Sequence, residues 1–169
     1  MKFSELALYF QKLENTTSRN AMTEILAHLF GEASGDEIDK ICYLTQGRVA
    51  PLFIALEFGM AEKMMIKAIS LAYGISEKEV GEVFKREGDM GKVVEELKTQ
   101  NSKLKTTTQN LKVSEVFSVL EEIANSSGVG SVERKTRLLA DLLKKVDSLS
   151  ARYIVRIPLA KMRLGFSDM

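Results

Sequence analysis

The stretch that decides the fold class is Ser114 to Val146, SEVFSVLEEIANSSGVGSVERKTRLLADLLKKV. Val116, Phe117, Leu120, Ile123 and Ala124 recur every three or four residues, which places them on one stripe of a helix. The polar run NSSGVG, 125–130, then breaks the pattern with turn-forming residues. Ser131 stands as the cap of a second helix whose apolar positions include Val132, Leu138, Leu139, Leu142 and Val146. Two amphipathic helices joined by a short polar turn form a helical hairpin, and each needs further apolar surface to cover its stripe.

The same pattern extends to both ends. At the start, Phe3, Leu6, Phe10 and Leu13 share a stripe with Ser4 placed to cap. Asn15-Thr16-Thr17-Ser18 interrupts it, and a second helix turns Met22, Ile25, Leu26, Leu29 and Phe30 inward with Gly31 as its stop. Ser34 and Glu37 make a capping box before Ile38, Ile41 and Leu44, and Gly47 ends that helix. Pro51 suits the first position of a short helix over LFIALEF. Ala61 to Tyr73 is helical, with Met64, Met65, Ala68, Ile69 and Ala72 inward and Gly74 as C-cap. Ser76 and Glu79 open the next helix through Val80, Val83 and Phe84; Gly88 closes it, and Asp89 caps GKVVEELK. A last helix runs from Ser148 to Arg156 before Pro158, although Ile154 to Ile157 would also suit a strand.

The fold class is therefore all-α, an irregular set of helical hairpins. Residues 1–97 form an N-terminal helical half, 98–112 a basic linker or surface loop, and 113–169 a second half that is incomplete at its C-terminus; together they make one domain.

An apolar share of 45% supports a core in a chain of 169 residues, and no apolar run is long enough to span a bilayer. The N-terminus has helical periodicity and an acid at position 5, unlike a signal peptide. A single cysteine, Cys42, fits a reducing cytoplasm. The net charge of +1 hides a division: residues 1–97 carry 11 Lys/Arg against 16 Asp/Glu, and residues 98–169 carry 13 against 7. A basic half of this kind points to a polyanion.

Catalytic chemistry finds little support. His28 lacks an evident partner, with Glu24 four residues away, and a catalytic histidine depends on a placed one. Cys42 lies among apolar neighbours and reads as a small buried hydrophobe. Asp36-Glu37, Glu95-Glu96 and Glu121-Glu122 read as helix-start or solvated acids, and Met60, Met64 and Met65 as core. No phosphate loop, HExxH, GxSxG or paired CxxC is present. Three clusters differ in kind, each placing small or capping residues at a helix start beside a cation. They are Thr16-Thr17-Ser18-Arg19; Ser127-Gly128-Val129-Gly130-Ser131 leading to Arg134, Lys135 and Arg137; and Lys161-Met162-Arg163-Leu164-Gly165-Phe166-Ser167-Asp168. Backbone N–H groups at a helix start, with a cation alongside, bind phosphate without reading bases.

In order and spacing, five segments resemble the N-terminal DNA-binding domain of ATP-dependent DNA ligases of the archaeal and eukaryotic type, also found in some bacteria. They are FSELALYFQKLENTTSRNAMTEILAHLF, EFGMAEKMMIKAISLAYGIS, KREGDMGKVVEEL, SEVFSVLEEIANSSGVGSVERKTRLLADLL and ARYIVRIPLAKMRLGFSDM. The resemblance implies an all-α domain with pseudo-two-fold halves, lying along the minor groove and holding a nicked duplex during replication, repair and recombination. It implies DNA contacts from Gly128, Gly130 and Ser131 with Lys135 behind them, from Arg163, Gly165 and Ser167, and from Thr17, Ser18 and Arg19; the cation pattern adds Lys161. Gly88-Asp89-x-Gly91 matches a family turn, read here as a structural cap. The complete enzyme implied by the resemblance uses ATP and magnesium, adenylating a lysine in a KxDG-type motif of a following domain before an OB-fold. This sequence carries neither, so no cofactor is expected in it, and alone it is expected to be inactive. An alternative of another class is a helical protein-interaction module that keeps the scaffold without binding DNA.

Overall fold

The computed structural model describes residues 1–105 and 108–166. Its helices are α1 Phe3–Glu14, α2 Arg19–Glu32, α3 Ile38–Thr45, α4 Glu62–Tyr73, α5 Glu77–Glu87, α6 Met90–Gln100, α7 Ser102–Lys105, α8 Val113–Asn125, α9 Ser131–Lys145 and α10 Ser148–Arg156. Among the described residues no strand forms, and one antiparallel bridge pairs Lys2 with Lys112. Phe3 N–H donates to the Leu111 carbonyl at 2.8 Å and Val113 N–H to that of Met1 at 3.0 Å.

That bridge explains how both halves begin. Lys2-Phe3-Ser4-Glu5 and Lys112-Val113-Ser114-Glu115 share a pattern, and the glutamate carboxylate of each accepts the N–H of its lysine, at 2.8 and 2.7 Å. The bridge holds Lys2 and Lys112 extended, so the helices start directly after them and Ser4 falls inside the first turn instead of capping it. Two matching hairpins, α1–α2 and α8–α9, thus enter the fold side by side.

The core lies where α10 packs against α1 and α6. Phe3, Leu6, Phe10 and Leu13 bury the inner stripe of α1, and Phe10 meets Tyr153 edge to face with ring centroids 5.3 Å apart. The apolar side chains are buried on one face, as the helical period requires. Gly91 permits the approach of α6 to α10: a Cβ there would lie 2.9 Å from the Arg152 carbonyl and 2.5 Å from Arg156 Nε.

A charged cluster is built into the same contact. Arg156, 1% exposed, donates from Nη2 to Asp89 Oδ2 at 2.5 Å and from Nε to Oδ1 at 3.2 Å. It also donates to Glu14, from Nη1 at 2.9 Å and Nη2 at 3.1 Å. Arg152 pairs with Glu95 and, at 3.3 Å, with Glu14, which also accepts the Tyr153 hydroxyl at 2.5 Å. Asp89 Oδ1 caps α6 by accepting the Gly91 N–H at 2.9 Å. The Gly88-Asp89-x-Gly91 turn is therefore a cap, an ion-pair anchor and a close-packing site at once.

The structure departs from the sequence reading in several places. Helix α2 continues through Gly31 to Glu32, where the carboxylate accepts the Tyr9 hydroxyl at 2.7 Å and pins the last turn. LFIALEF is not helical. Val49 before it and Phe58, its last residue, are buried, and Ile54 N–H bonds back to the Pro51 carbonyl at 3.0 Å. The turn between them leaves Leu52 66%, Phe53 87% and Ile54 48% exposed. The basic stretch 98–112 begins inside α6. Lys98 is buried and donates to the carbonyls of Leu143 and Lys144 at 2.7 and 3.2 Å, closing the C-terminus of α9. Burial pushes its amine down to about 8. Of residues 154–157, the stretch suited to a strand, 154–156 belong to α10 and Ile157 is its C-cap.

Replacing Gly91 with alanine should cost about 1–3 kcal/mol in a urea melt by forcing α6 off α10. Gly81→Ala, on α5 with open space around it, should be neutral or stabilising by up to about 1 kcal/mol. Burial works to raise the carboxyls of Glu14 and Asp89, but hydrogen bonds and charge from Arg156 outweigh it and hold both below their ordinary values. On acidification the unfolded chain therefore takes up protons that the folded chain refuses. Stability is present above the ordinary values of 4.5 and 3.8 and is lost as the pH falls through them and below. Thermal melts from pH 6 to 3 should show this decline, and Glu14→Gln should start lower and decline less.

Candidate nucleic-acid interface

Residues 157–166, after α10, are held in place by identifiable contacts. Ala160 and Arg163 have positive φ, 52° and 58°, which side chains rarely adopt, and Gly165 follows at 86°. Such backbone persists only where its surroundings hold it. Lys161 N–H donates to the Arg156 carbonyl at 3.1 Å, and the Met162 carbonyl accepts from Arg156 Nη1 at 3.4 Å. Met162 and Leu164 are buried while Lys161 and Arg163 alternate outward. Arg163 is about half exposed, with a side-chain value of 50%; its Nη2 donates to the Gly88 carbonyl at 3.3 Å and its Nε lies 3.8 Å from Asp89 Oδ2. Lys161 Nζ lies 3.5 Å from Glu62.

The sequence clusters meet through these neighbours. A Cβ on Gly165 would come within 2.5 Å of Met22 Cε and 3.7 Å of the Thr16 carbonyl, so the loop before α2 lies against this segment. In that loop Ser18 caps α2 by accepting the Ala21 N–H at 3.3 Å, and Thr17 and Arg19 are exposed. A groove of about 840 Å³ is lined by Gly47, Phe58, Gly59, Met60, Lys161 and Arg163 among others. Beyond it, Lys135 Nζ donates to the Phe58 carbonyl at 2.7 Å. Gly128 and Gly130, with φ of 81° and 79°, bracket a fully exposed Val129.

Two expectations change here. Lys135 is 8% exposed, and its amine supports the 58–59 backbone from inside. The stripe that buries Leu139 and Leu142 carries Lys135 inward too, one helical turn earlier. Ser131 is the first residue of α9, with Gly130 at the cap position and no side-chain cap bond, because the left-handed glycine ends the loop one residue sooner. The exposed cations near these elements are Arg19, Arg134, Arg137, Lys161 and Arg163. Ser167 lies outside the described residues. Sequence reasoning missed the support that the Phe58 carbonyl gives and that Asp89, read as a helix cap, gives as the partner of Arg156 and Arg163.

Elsewhere, His28 is exposed and shares Tyr9 with Glu32; its Nδ1 lies 2.6 Å from the Tyr9 hydroxyl. Burial, then Glu32, pushes that hydroxyl up to about 12. Burial and Asp39 raise the half-buried Cys42 thiol, which disfavours a nucleophilic thiolate. Among the described residues no three His, Cys, Asp or Glu side chains gather where they could hold a metal ion, and none of their helices is long and apolar enough to cross a membrane. The acids that do converge, Glu14, Asp89 and Glu95, are engaged by Arg152 and Arg156, so this donor set does not suit ATP with magnesium.

A family model described as DNA ligase N terminus matches residues 2–169. The chain belongs to this family. A probable DNA ligase from Dictyoglomus turgidum is 44% identical over 168 residues, covering 99% of this chain and 28% of the relative. DNA ligases from Saccharolobus islandicus and Saccharolobus solfataricus are each 39% identical over 176 residues, covering 99% of this chain and 29% of theirs. The chain thus spans less than a third of the length of these curated relatives. The all-α architecture is that of a DNA ligase N-terminal domain.

In this ligase-family domain, Lys135→Met should leave the Phe58 carbonyl unpaired and cost about 1–3 kcal/mol. Amide hydrogen exchange should quicken locally at Gly59 to Ala61. Arg134→Gln, at an exposed position on the same helix, should leave both stability and exchange unchanged.

Proposed function

We propose that this chain is the DNA-gripping part of an ATP-dependent DNA ligase, binding nicked duplex through its sugar–phosphate backbone without reading sequence. The observation that carries the reading is the physical path joining three backbone elements. Residues 16–19 and 161–165 meet through Met22 and Gly165, and Lys135, one turn into the helix that 128–131 opens, bonds Phe58 on the wall of the groove lined by Lys161 and Arg163. Each offers main-chain N–H groups or left-handed turns that approach a ligand closely, with Arg19, Arg134, Lys161 or Arg163 beside them. Phosphates are met by such groups, whereas base reading needs side chains reaching into a groove.

In this reading the sealing chemistry, with its ATP and magnesium, belongs to a catalytic part outside these residues, and the domain works in the cytoplasm on DNA. Its affinity should fall within the roughly 10⁻⁴ to 10⁻⁶ M of non-specific binders at physiological salt. Fluorescence anisotropy on nicked duplexes of unrelated sequence should show equal binding that weakens steeply with salt. Lys161→Glu with Arg163→Glu should weaken every duplex alike. Replacing each with glutamine should lower the salt slope by about one for every phosphate that is no longer neutralised. Absence of binding at low salt would overturn the reading.

A protein-docking role draws on one observation, the exposed Leu52-Phe53-Ile54 turn, since consecutive exposed apolar residues commonly mark contact sites. That role predicts that Phe53→Ser abolishes capture of a protein partner and leaves DNA binding unchanged.

A further inference from the structure

We infer that the turn between α5 and α6, Gly88-Asp89, is a positioning element for DNA binding: it orients the Arg163 guanidinium toward a backbone phosphate. The inference rests on the DNA-binding reading above and assigns a role that the turn's capping function does not require. Asp89 completes its structural task without Arg163, since Oδ1 caps α6 and both oxygens receive Arg156. Arg163 nevertheless lies across the same turn, with Nη2 on the Gly88 carbonyl at 3.3 Å and Nε 3.8 Å from Asp89 Oδ2. Its Nη1 has no hydrogen-bond partner among the described residues and is left for an anion.

Three features make this more than a casual surface pair. Arg163 carries a left-handed backbone, φ 58°, between buried Met162 and Leu164, so its Cα is fixed before the side chain is placed. Asp89 is itself immobilised by a nearly fully buried arginine. Gly88 closes α5 in the left-handed conformation, so the carbonyl that receives Arg163 belongs to the helix terminus, where a cation is favoured. A guanidinium held on one edge loses less conformational entropy when its other edge meets a phosphate.

Electrostatics alone and positioning predict opposite signs for one substitution. Asp89→Asn removes a negative charge beside the DNA-facing cation, so Coulomb attraction by itself would tighten binding. Loss of orientation weakens it instead. The expected result is about three- to tenfold weaker binding to a nicked duplex in the otherwise wild-type domain, and little further loss when Arg163→Gln is already present. The measurement is anisotropy at a temperature below the melting point of all four proteins in the cycle. Tighter binding, or an equal loss in both backgrounds, overturns the inference.

Because Asp89→Asn also strains the buried cluster, a second measurement uses the wild-type domain alone. The ¹⁵N signal of Arg163 Nε–H should show restricted motion compared with that of exposed Arg134. An order parameter below about 0.6 for Arg163, no higher than that of Arg134, also overturns it. If the wild type fails to bind nicked duplex at low salt, the DNA-binding reading falls, while the ¹⁵N result still reports on the tether.

Discussion

A guanidinium carried to 1% exposure must be neutralised and hydrogen-bonded where it lies, and Arg156 meets that demand from three directions. Glu14 comes from the end of α1, Asp89 from the start of α6, and the Met162 carbonyl from the segment after α10. Removing one partner of such a pair typically costs about 3–5 kcal/mol, since it leaves a charge buried without compensation. The cluster therefore fixes the relative placement of α1, α6 and α10, which the apolar contacts alone would allow to slide. Gly91 is its steric counterpart, because a longer side chain there would occupy the space of Arg156 Nε.

The same cluster reaches the surface. The Arg156 carbonyl and guanidinium hold Lys161 and Met162, and Asp89 stands beside Arg163. Backbone that would otherwise relax at Ala160 and Arg163 is kept left-handed by bonds made inside the core. Lys135 does similar work across the groove, turning a cation inward to hold the Phe58 carbonyl. The candidate interface is thus supported by buried charges, which hold the backbone beneath Lys161 and Arg163. In the proposed reading, this arrangement meets a ligand through its regular backbone, for which geometry matters more than any one contact.

Much of the fold is legible from local chemistry. Ser76, Gly74, Gly88 and Asp89 mark helix boundaries in the sequence because capping depends on residues within one turn of each other. The helix Ser148–Arg156 is legible from the proline beyond its end, although its last residues suited a strand as well. Local reading fails where distant groups decide the outcome. LFIALEF has the composition of a short helix, yet with Val49 and its own Phe58 buried the chain turns between them. Lys98 and Lys135 have the local setting of surface cations, and both are drawn inward by carbonyls far away in sequence. Of the candidate interface, the glycines and the exposed arginines are readable, while their supports are not.

By itself, then, the sequence determined most of the helices, many of their ends, the division of charge and the membership of a ligase family, since each depends on neighbours along the chain or on the order of motifs. Only the tertiary structure decided which cations face solvent and which are consumed in the core. The physical reason is that a lysine or arginine reaches several ångströms from its backbone, and a buried carbonyl or carboxylate brought by another helix can capture it. Arg163 shows both halves: its neighbours in sequence mark it as a cation near a glycine turn, and Gly88 and Asp89, supplied by the fold, say where it points.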